Sequence, residues 1–300
     1  MPPAPAPRPV VIEAALNGVT TRARSAHVPV TAAELAEDAI ACLDAGATVV
    51  HVHAEGLGGP PEELAETYAE CFRAVLAERP GVCCYPTVGW GDTLDVRLEH
   101  VRLLAAEGLI TASFCDPGSV NLGGAGRDGL PPDMDFVYRN SFAETRRTMA
   151  LCEDLGLGPS IAVFEPGFLQ VVLAYSEAGR LPPGALVKLY FAAGGYLTRG
   201  RPLWGVPPIR QGLDLYRAML EGSELVWAVA VVGGSLVDSA ILDPALAAGA
   251  HVRVGLEDDQ DGPSNVEQVT SVVQRIHAAG RGVATPDEMS EILGLRPTTN

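Results

Sequence analysis

Eight apolar, β-branched runs of strand length alternate with amphipathic stretches of helical length along nearly the whole chain, and this rhythm limits the architectures open to it. The runs cover 10–16, 48–53, 82–88, 110–114, 160–164, 185–191, 225–232 and 251–256. Helical patterns fall between them at 32–45, 61–77, 93–106, 136–155, 167–178, 208–221, 236–248 and 264–279, with a further one at 285–293. Several stop at a glycine, such as Gly46, Gly108 or Gly156. Eight strand–helix units in 300 residues, with no linker or composition break, predict a single-domain α/β chain folded as a (β/α)8 TIM barrel over 10–300. The last helix is then a C-terminal appendage, and residues 1–9 form a flexible, proline-rich tail. No GxGxxG follows the first run, which argues against a doubly wound dinucleotide fold.

In such a barrel, chemistry belongs at the C-terminal strand ends, where the loops into the helices meet. Polar residues at those places are Asn17 and Thr20, His51 and His53, Thr87, Ser113 with Asp116, Glu165, and Arg253 with Glu257 and Asp258. In Val49-Val50-His51-Val52-His53 the strand period of two puts both imidazoles on one face, with Cα atoms roughly 6.5–7 Å apart. Two such rings can converge on a divalent ion, or hydrogen-bond each other at the barrel mouth. In the segment from His251 to Asp259, alternation puts Arg253, Gly255 and Glu257 on the inner face; His251 opens the strand, far from the mouth, and reads as structural. Buried arginine and carboxylate must pair with each other, with a metal or with an anionic substrate. Glu257 is thus either a third ligand beside His51 and His53 or half of an internal Arg253–Glu257 ion pair.

The charge balance excludes partners. Lys+Arg of 21 against Asp+Glu of 37 gives a net charge of −16, which disfavours nucleic acid and anionic membrane surfaces. No apolar run is long enough to span a bilayer and no signal pattern opens the sequence, so the cytoplasm is the expected compartment. Six cysteines lack CxxC spacing and read as buried, reduced thiols. Twenty of the 21 basic residues are arginine; the single lysine, Lys188, sits in an apolar strand. A desolvated lysine could be a Schiff-base nucleophile of an aldolase or lyase, or an internal ion-pair partner, with Glu165 a candidate. His100 and His277 fall on helix patterns and are expected at the surface or at helix ends.

Both constellations, together with Asn17-Gly18, Tyr85-Pro86-Thr87, Gly118-Ser119-Val120-Asn121 and Phe164-Glu165-Pro166-Gly167, make the chain resemble the β-keto acid cleavage enzymes, including the 3-keto-5-aminohexanoate cleavage enzymes, along nearly its whole length. The resemblance implies a barrel holding a divalent metal, usually zinc, that exchanges acyl units between a β-keto acid and acetyl-CoA and yields acetoacetate and a new acyl-CoA. It implies His51, His53 and Glu257 as metal ligands and Arg253 and Asp258 as the catalytic pair. Thr20, Thr87, Ser113 and Asn121 are expected to touch substrate. In this expectation a metal-polarised ketone is attacked by the acetyl-CoA carbon while Asp258, held by Arg253, moves the proton of the resulting hydroxyl. The family likeness also implies a homo-oligomer, a tetramer. Thr20 stands where the amino-acid-cleaving members carry a glutamate for the substrate ammonium, which argues against 3-keto-5-aminohexanoate as the preferred substrate. Arg199, Arg201 and Arg210 form the candidate cluster for CoA. A non-catalytic metal-binding barrel is the alternative outside enzymology.

Overall fold

The computed structural model describes residues 8–295. Its strands are β1 (Ile12–Ala15), β2 (Val49–Val52), β3 (Cys83–Pro86), β4 (Ala112–Cys115), β5 (Gly158–Val163), β6 (Leu186–Ala192), β7 (Trp227–Val232) and β8 (His251–Val254). All pair in parallel in the order β3-β2-β1-β8-β7-β6-β5-β4, and β4 returns alongside β3, so the sheet curls into a nearly closed barrel. Helices α1 (Ala32–Asp44), α2 (Pro61–Glu78), α3 (Leu94–Ala106), α4 (Phe142–Leu155), α5 (Pro166–Glu177), α6 (Arg210–Leu220), α7 (Leu242–Ala247) and α8 (Asn265–Ala278) follow the strands in turn. Packing between these helices and an inner core explains why the strands read as continuous apolar runs. The predicted (β/α)8 TIM barrel is the observed fold.

Local chemistry sets the helix starts. Thr31 with Glu34, Ser141 with Glu144 and Ser264 with Glu267 form reciprocal capping boxes, each cap worth ~1 kcal/mol. The appended helix α9 (Pro286–Leu293) starts on a fourth box, Thr285 with Glu288. Met289 and Leu293 from α9 pack with Val11, Val49, Cys83, Leu186 and Ala228, closing the N-terminal end of the barrel. The other end stays open for the site. Of the expected N-terminal tail, residues 1–7 lie outside the described part; Val10 already bridges to Val283.

Three local expectations change. The helix expected from 136 begins at Phe142, because Ser141 supplies the cap and residues before it run extended, with Tyr138 bridged to Val120. The helix expected over 236–248 shrinks to α7, since Ser235 and Ser239 bond nearby backbone groups and turn the preceding segment. His100, expected at the surface, is fully buried: its Nε2 lies 2.8 Å from Thr87 O and its ring stacks on Tyr68. All six cysteines are buried and unbonded, and burial pushes the Cys83 thiol up to about 12, so these thiols are inert.

Candidate active site

A cavity of about 570 Å3 opens at the C-terminal strand ends, its base crossed by charged side chains. His51 and His53 project into it from the end of β2. Asn17 fixes the second by a two-way clamp: its Nδ2 donates to His53 O at 2.7 Å and its Oδ1 accepts from His53 N at 2.9 Å. Gly18, with φ of +53°, completes the same turn; a Cβ there would lie 2.3 Å from Glu257 Cγ, so glycine is what lets Glu257 approach.

The segment carrying Glu257 and Asp258 is tied down from outside the barrel. Gly255 N donates to Gln268 Oε1 at 3.0 Å and Leu256 N to Asn265 Oδ1 at 2.7 Å, both acceptors lying on α8. Thr20 Oγ1 donates to Leu256 O at 2.6 Å. Gly255 has φ of +143°, and a Cβ would fall 2.1 Å from Ala15 O. These contacts hold Glu257 between the imidazoles: its two carboxylate oxygens lie 3.4 Å from His51 Nε2 and from His53 Nε2.

This arrangement suits a metal ion by its own geometry. The three ligand atoms lie within 4.8 Å of one another, and tetrahedral bonds of ~2.0–2.1 Å separate ligand atoms by roughly 3.3 Å. Both ring nitrogens of His53 and Glu257 Oε2 are buried without a hydrogen bond among the described residues. Buried polar atoms left this way cost ~1–3 kcal/mol each unless something binds them. His51 Nδ1 sits 3.3 Å from Tyr85 O, which orients the ring so that Nε2 faces Glu257. Burial drives the His51 pKa down to about 3, leaving the neutral imidazole a metal needs.

Arg253 organises the floor. Its Nε and Nη2 donate to Asp258 at 2.8 and 3.1 Å, Nη2 also lies 2.8 Å from Glu257 Oε1, and Nη1 donates to Glu13 Oε1 at 2.6 Å. The Arg253–Glu257 ion pair considered from sequence therefore exists within the same cluster. Burial would raise both mouth carboxylates. For Glu257, the Arg253 guanidinium is the chief counterweight and holds the carboxyl well below its ordinary range. For Asp258, burial prevails over the pull of Arg253 and pushes the carboxyl up to about 6.

Sequence reasoning missed Glu13. It is fully buried in β1 and its Oε1 receives Arg253 Nη1, Lys188 Nζ at 3.1 Å and the Tyr85 hydroxyl at 2.6 Å. Burial alone would raise its pKa, but Lys188 and Arg253 bring it down to about 2. The ion-pair partner of Lys188 is thus Glu13 rather than Glu165. Glu165 instead accepts Gly205 N at 2.9 Å and holds the loop before α6. The signal was present as the one charged side chain in the run 10–16.

Of the expected substrate contacts, Thr87 lines the cavity. Thr20, Ser113 and Asn121 are not among its lining residues. Thr20 is spent on Leu256 O, and its neighbour Val19 faces the cavity instead. On β4 the inward positions are Ala112 and Phe114, so Ser113 is turned toward the helices, fully buried. Asn121 is exposed. Among the candidate CoA arginines, Arg199 lies 3.6 Å from Asp261 and Arg210 3.2 Å from Asp214, and none of the three borders the cavity. His251 Nδ1 accepts Val11 N at 2.9 Å, a structural bond deep in the barrel. The extended segment before α4 contributes Phe136, Val137 and Tyr138 to the cavity wall, which the helical pattern concealed.

The family described as beta-keto acid cleavage enzyme matches residues 9–295. The 3-keto-5-aminohexanoate cleavage enzyme of Fusobacterium nucleatum subsp. nucleatum is 29% identical over 294 residues, 96% of this chain and 98% of that one. The 3-dehydrocarnitine:acetyl-CoA trimethylamine transferase of Rhizobium meliloti is 27% identical over 318 residues, 96% of this chain and 97% of that one. Among solved structures, apo ObcA superposes with a TM-score of 0.64 at 17% identity, covering 90% of this chain and 66% of ObcA, a likeness of fold. No helix among the described residues is long and apolar enough to cross a membrane. The chain belongs to the beta-keto acid cleavage enzyme family.

Proposed function

We propose that this protein is a metal-dependent acyltransferase that converts a β-keto acid and acetyl-CoA into acetoacetate and a new acyl-CoA. The observation that carries this is the juxtaposition of His51, His53 and Glu257, with unsatisfied buried ligand atoms, beside the Arg253–Asp258 pair at the base of one cavity. A divalent ion, zinc being the natural choice for two imidazoles and a carboxylate, would supply Lewis-acid polarisation of a carbonyl.

Atom balance fixes the order of bonds. If the acetyl-CoA carbon attacked the ketone, as expected from the resemblance, breaking C2–C3 of the acid would leave acetate and a β-ketoacyl-CoA. Acetoacetate requires the acid's own C2 as nucleophile. Asp258 takes a C2 proton, C2 bonds to the acetyl carbonyl carbon, and CoA thiolate leaves. The thiolate then attacks C3, the C2–C3 bond breaks, and C2 recovers its proton from Asp258, giving acetoacetate and the acyl-CoA. Arg253 holds Asp258 by two hydrogen bonds and offsets the negative charge that develops on oxygen. Glu13 balances Arg253 from below, which keeps the guanidinium from rotating away.

Asp258 and Arg253 would be idle in a protein that only stores metal, which favours the enzyme. Burial lowers the Lys188 pKa, but the ion pair with Glu13 at 3.1 Å opposes this and favours the ammonium over the free amine a Schiff-base lyase needs. Thr20 supplies no carboxylate for an ammonium tail, so 3-keto-5-aminohexanoate is not the preferred substrate. The chain acts as a homo-oligomer, a tetramer, in the cytoplasm. The test is incubation of acetyl-CoA labelled with 13C at the acetyl carbonyl with a panel of β-keto acids. Label at C3 of acetoacetate is expected; label at C1 of a β-ketoacyl-CoA, formed with unlabelled acetate, refutes the order, and borohydride trapping at Lys188 would favour the lyase.

A further inference from the structure

At the base of the cavity, Lys188 and Ser160 border the open space with hydrogen-bonding capacity left over. Lys188 Nζ gives one N–H to Glu13 Oε1 at 3.1 Å and one to the Tyr85 hydroxyl at 2.6 Å. An ammonium has three donors, and the third has no partner among the described residues. Ser160 Oγ is buried near the same tyrosine yet makes no well-formed hydrogen bond. The two residues sit on adjacent strands: β5 and β6 pair Ser160 with Leu186 and Ala162 with Lys188. Arg253, the other cation at this depth, is already spent on Glu13, Glu257 and Asp258.

Much of the remaining wall is apolar: Phe114, Leu122, Phe136, Val137 and Phe164 line it with hydrocarbon, while Asp116, held by the Tyr138 hydroxyl, and the arginines Arg97 and Arg139 are the charged groups outside the Arg253 cluster. A ligand polar at one end and apolar along its body therefore enters polar end first. A desolvated ammonium with an open donor, beside an unpaired hydroxyl, matches a carboxylate, whose oxygens accept one bond from each.

We propose that Lys188 and Ser160 form a carboxylate anchor at the cavity base, which receives the carboxylate of the β-keto acid and points its tail toward Phe114 and Phe164. The anchor rests on the acyl exchange proposed above for the identity of its ligand, and it makes Lys188 a substrate-binding residue.

The experiment measures binding without acetyl-CoA, so that no turnover occurs. Calorimetric titration of 3-oxohexanoate and of its primary amide, 3-oxohexanamide, into the metal-loaded protein compares a charged with an uncharged headgroup. Wild type is expected to prefer the acid. Lys188→Met, which leaves Glu13 paired with Arg253, is expected to weaken the acid by about tenfold to a hundredfold and the amide by less than about twofold, the span of a charge-assisted hydrogen bond. Ser160→Ala removes a single oxygen and keeps the test open should the lysine variant misfold; it should weaken the acid by about threefold to tenfold. Equal loss for acid and amide, an unchanged affinity for the acid in both variants, or no binding of the acid to wild type overturns the anchor. Acid binding that depends on Lys188 without acetoacetate on adding acetyl-CoA would instead refute the proposed exchange and leave the anchor standing.

Discussion

Glu13→Gln removes the one carboxylate that neutralises both buried cations beneath the site. The oxygen it alters lies 3.1 Å from Lys188 Nζ and 2.6 Å from Arg253 Nη1, and all three side chains are nearly inaccessible to solvent. Breaking a buried ion pair by deleting one partner costs about 3–5 kcal/mol. A second route to the magnitude uses the shift of the Glu13 carboxyl from 4.5 to about 2. At 1.36 kcal/mol per pH unit this amounts to roughly 3 kcal/mol of native-state stability at neutral pH. The two agree, and the second sets a pH signature. Because the folded pKa lies below the unfolded one, the contribution is complete above about pH 5 and fades as pH falls toward 2. Urea unfolding of wild type and variant at pH 7 should differ by about 3 kcal/mol, and the gap should narrow by on the order of 1 kcal/mol at pH 3.5. Adding Lys188→Met should return part of the loss, since it removes the cation left without its carboxylate. A gap below about 1 kcal/mol at pH 7, or one that widens on acidification, would show that Glu13 is not the counter-ion described above.

Three other outcomes follow from the same contacts. Gly18→Ala must clear Glu257 Cγ from 2.3 Å and adopt a positive φ, so metal affinity, read by competition with a chromophoric chelator, should fall by more than about tenfold while the barrel still folds; unchanged affinity would mean Glu257 is not held by this approach. Asn265→Ala removes the acceptor of Leu256 N and the donor to Leu16 O, and should lower stability by about 1–3 kcal/mol and kcat more than KM; a change in KM alone would contradict its role in placing Asp258. In the keto-acid panel, acids with apolar tails should exceed ammonium-tailed ones in kcat/KM by at least about tenfold, and a reversed order would show that another group takes the place of the missing carboxylate near Thr20.

The barrel was legible because each strand is buried on both faces and each helix on one, so two periods alternate in the sequence without interruption. His51, His53, Arg253 and Glu257 were legible for a related reason: a polar residue repeating with period two inside an apolar strand must face the barrel interior. Glu13 escaped because its partners lie 72, 175 and 240 residues away, and only the barrel register brings β1, β3, β6 and β8 to one level. The same cause misdirected Lys188 toward Glu165, which sits at the mouth whereas Lys188 lies deeper, level with Ala162. Ser113 shows how fine the margin is: a shift of one residue along β4 exchanges it with Phe114 at the cavity wall. The supports on α8, Asn265 and Gln268, carry no chemical signature in sequence, since polar side chains in a first helical turn read as ordinary capping residues.

The most direct measurement is metal content, by inductively coupled plasma mass spectrometry, set against acetoacetate formation as zinc is titrated into chelator-stripped protein. One ion per chain is expected, with activity rising in proportion to occupancy and both lost in His51→Ala and Glu257→Gln. Full acyl exchange by metal-free protein, or full metal content in both variants, would contradict the assignment of this site.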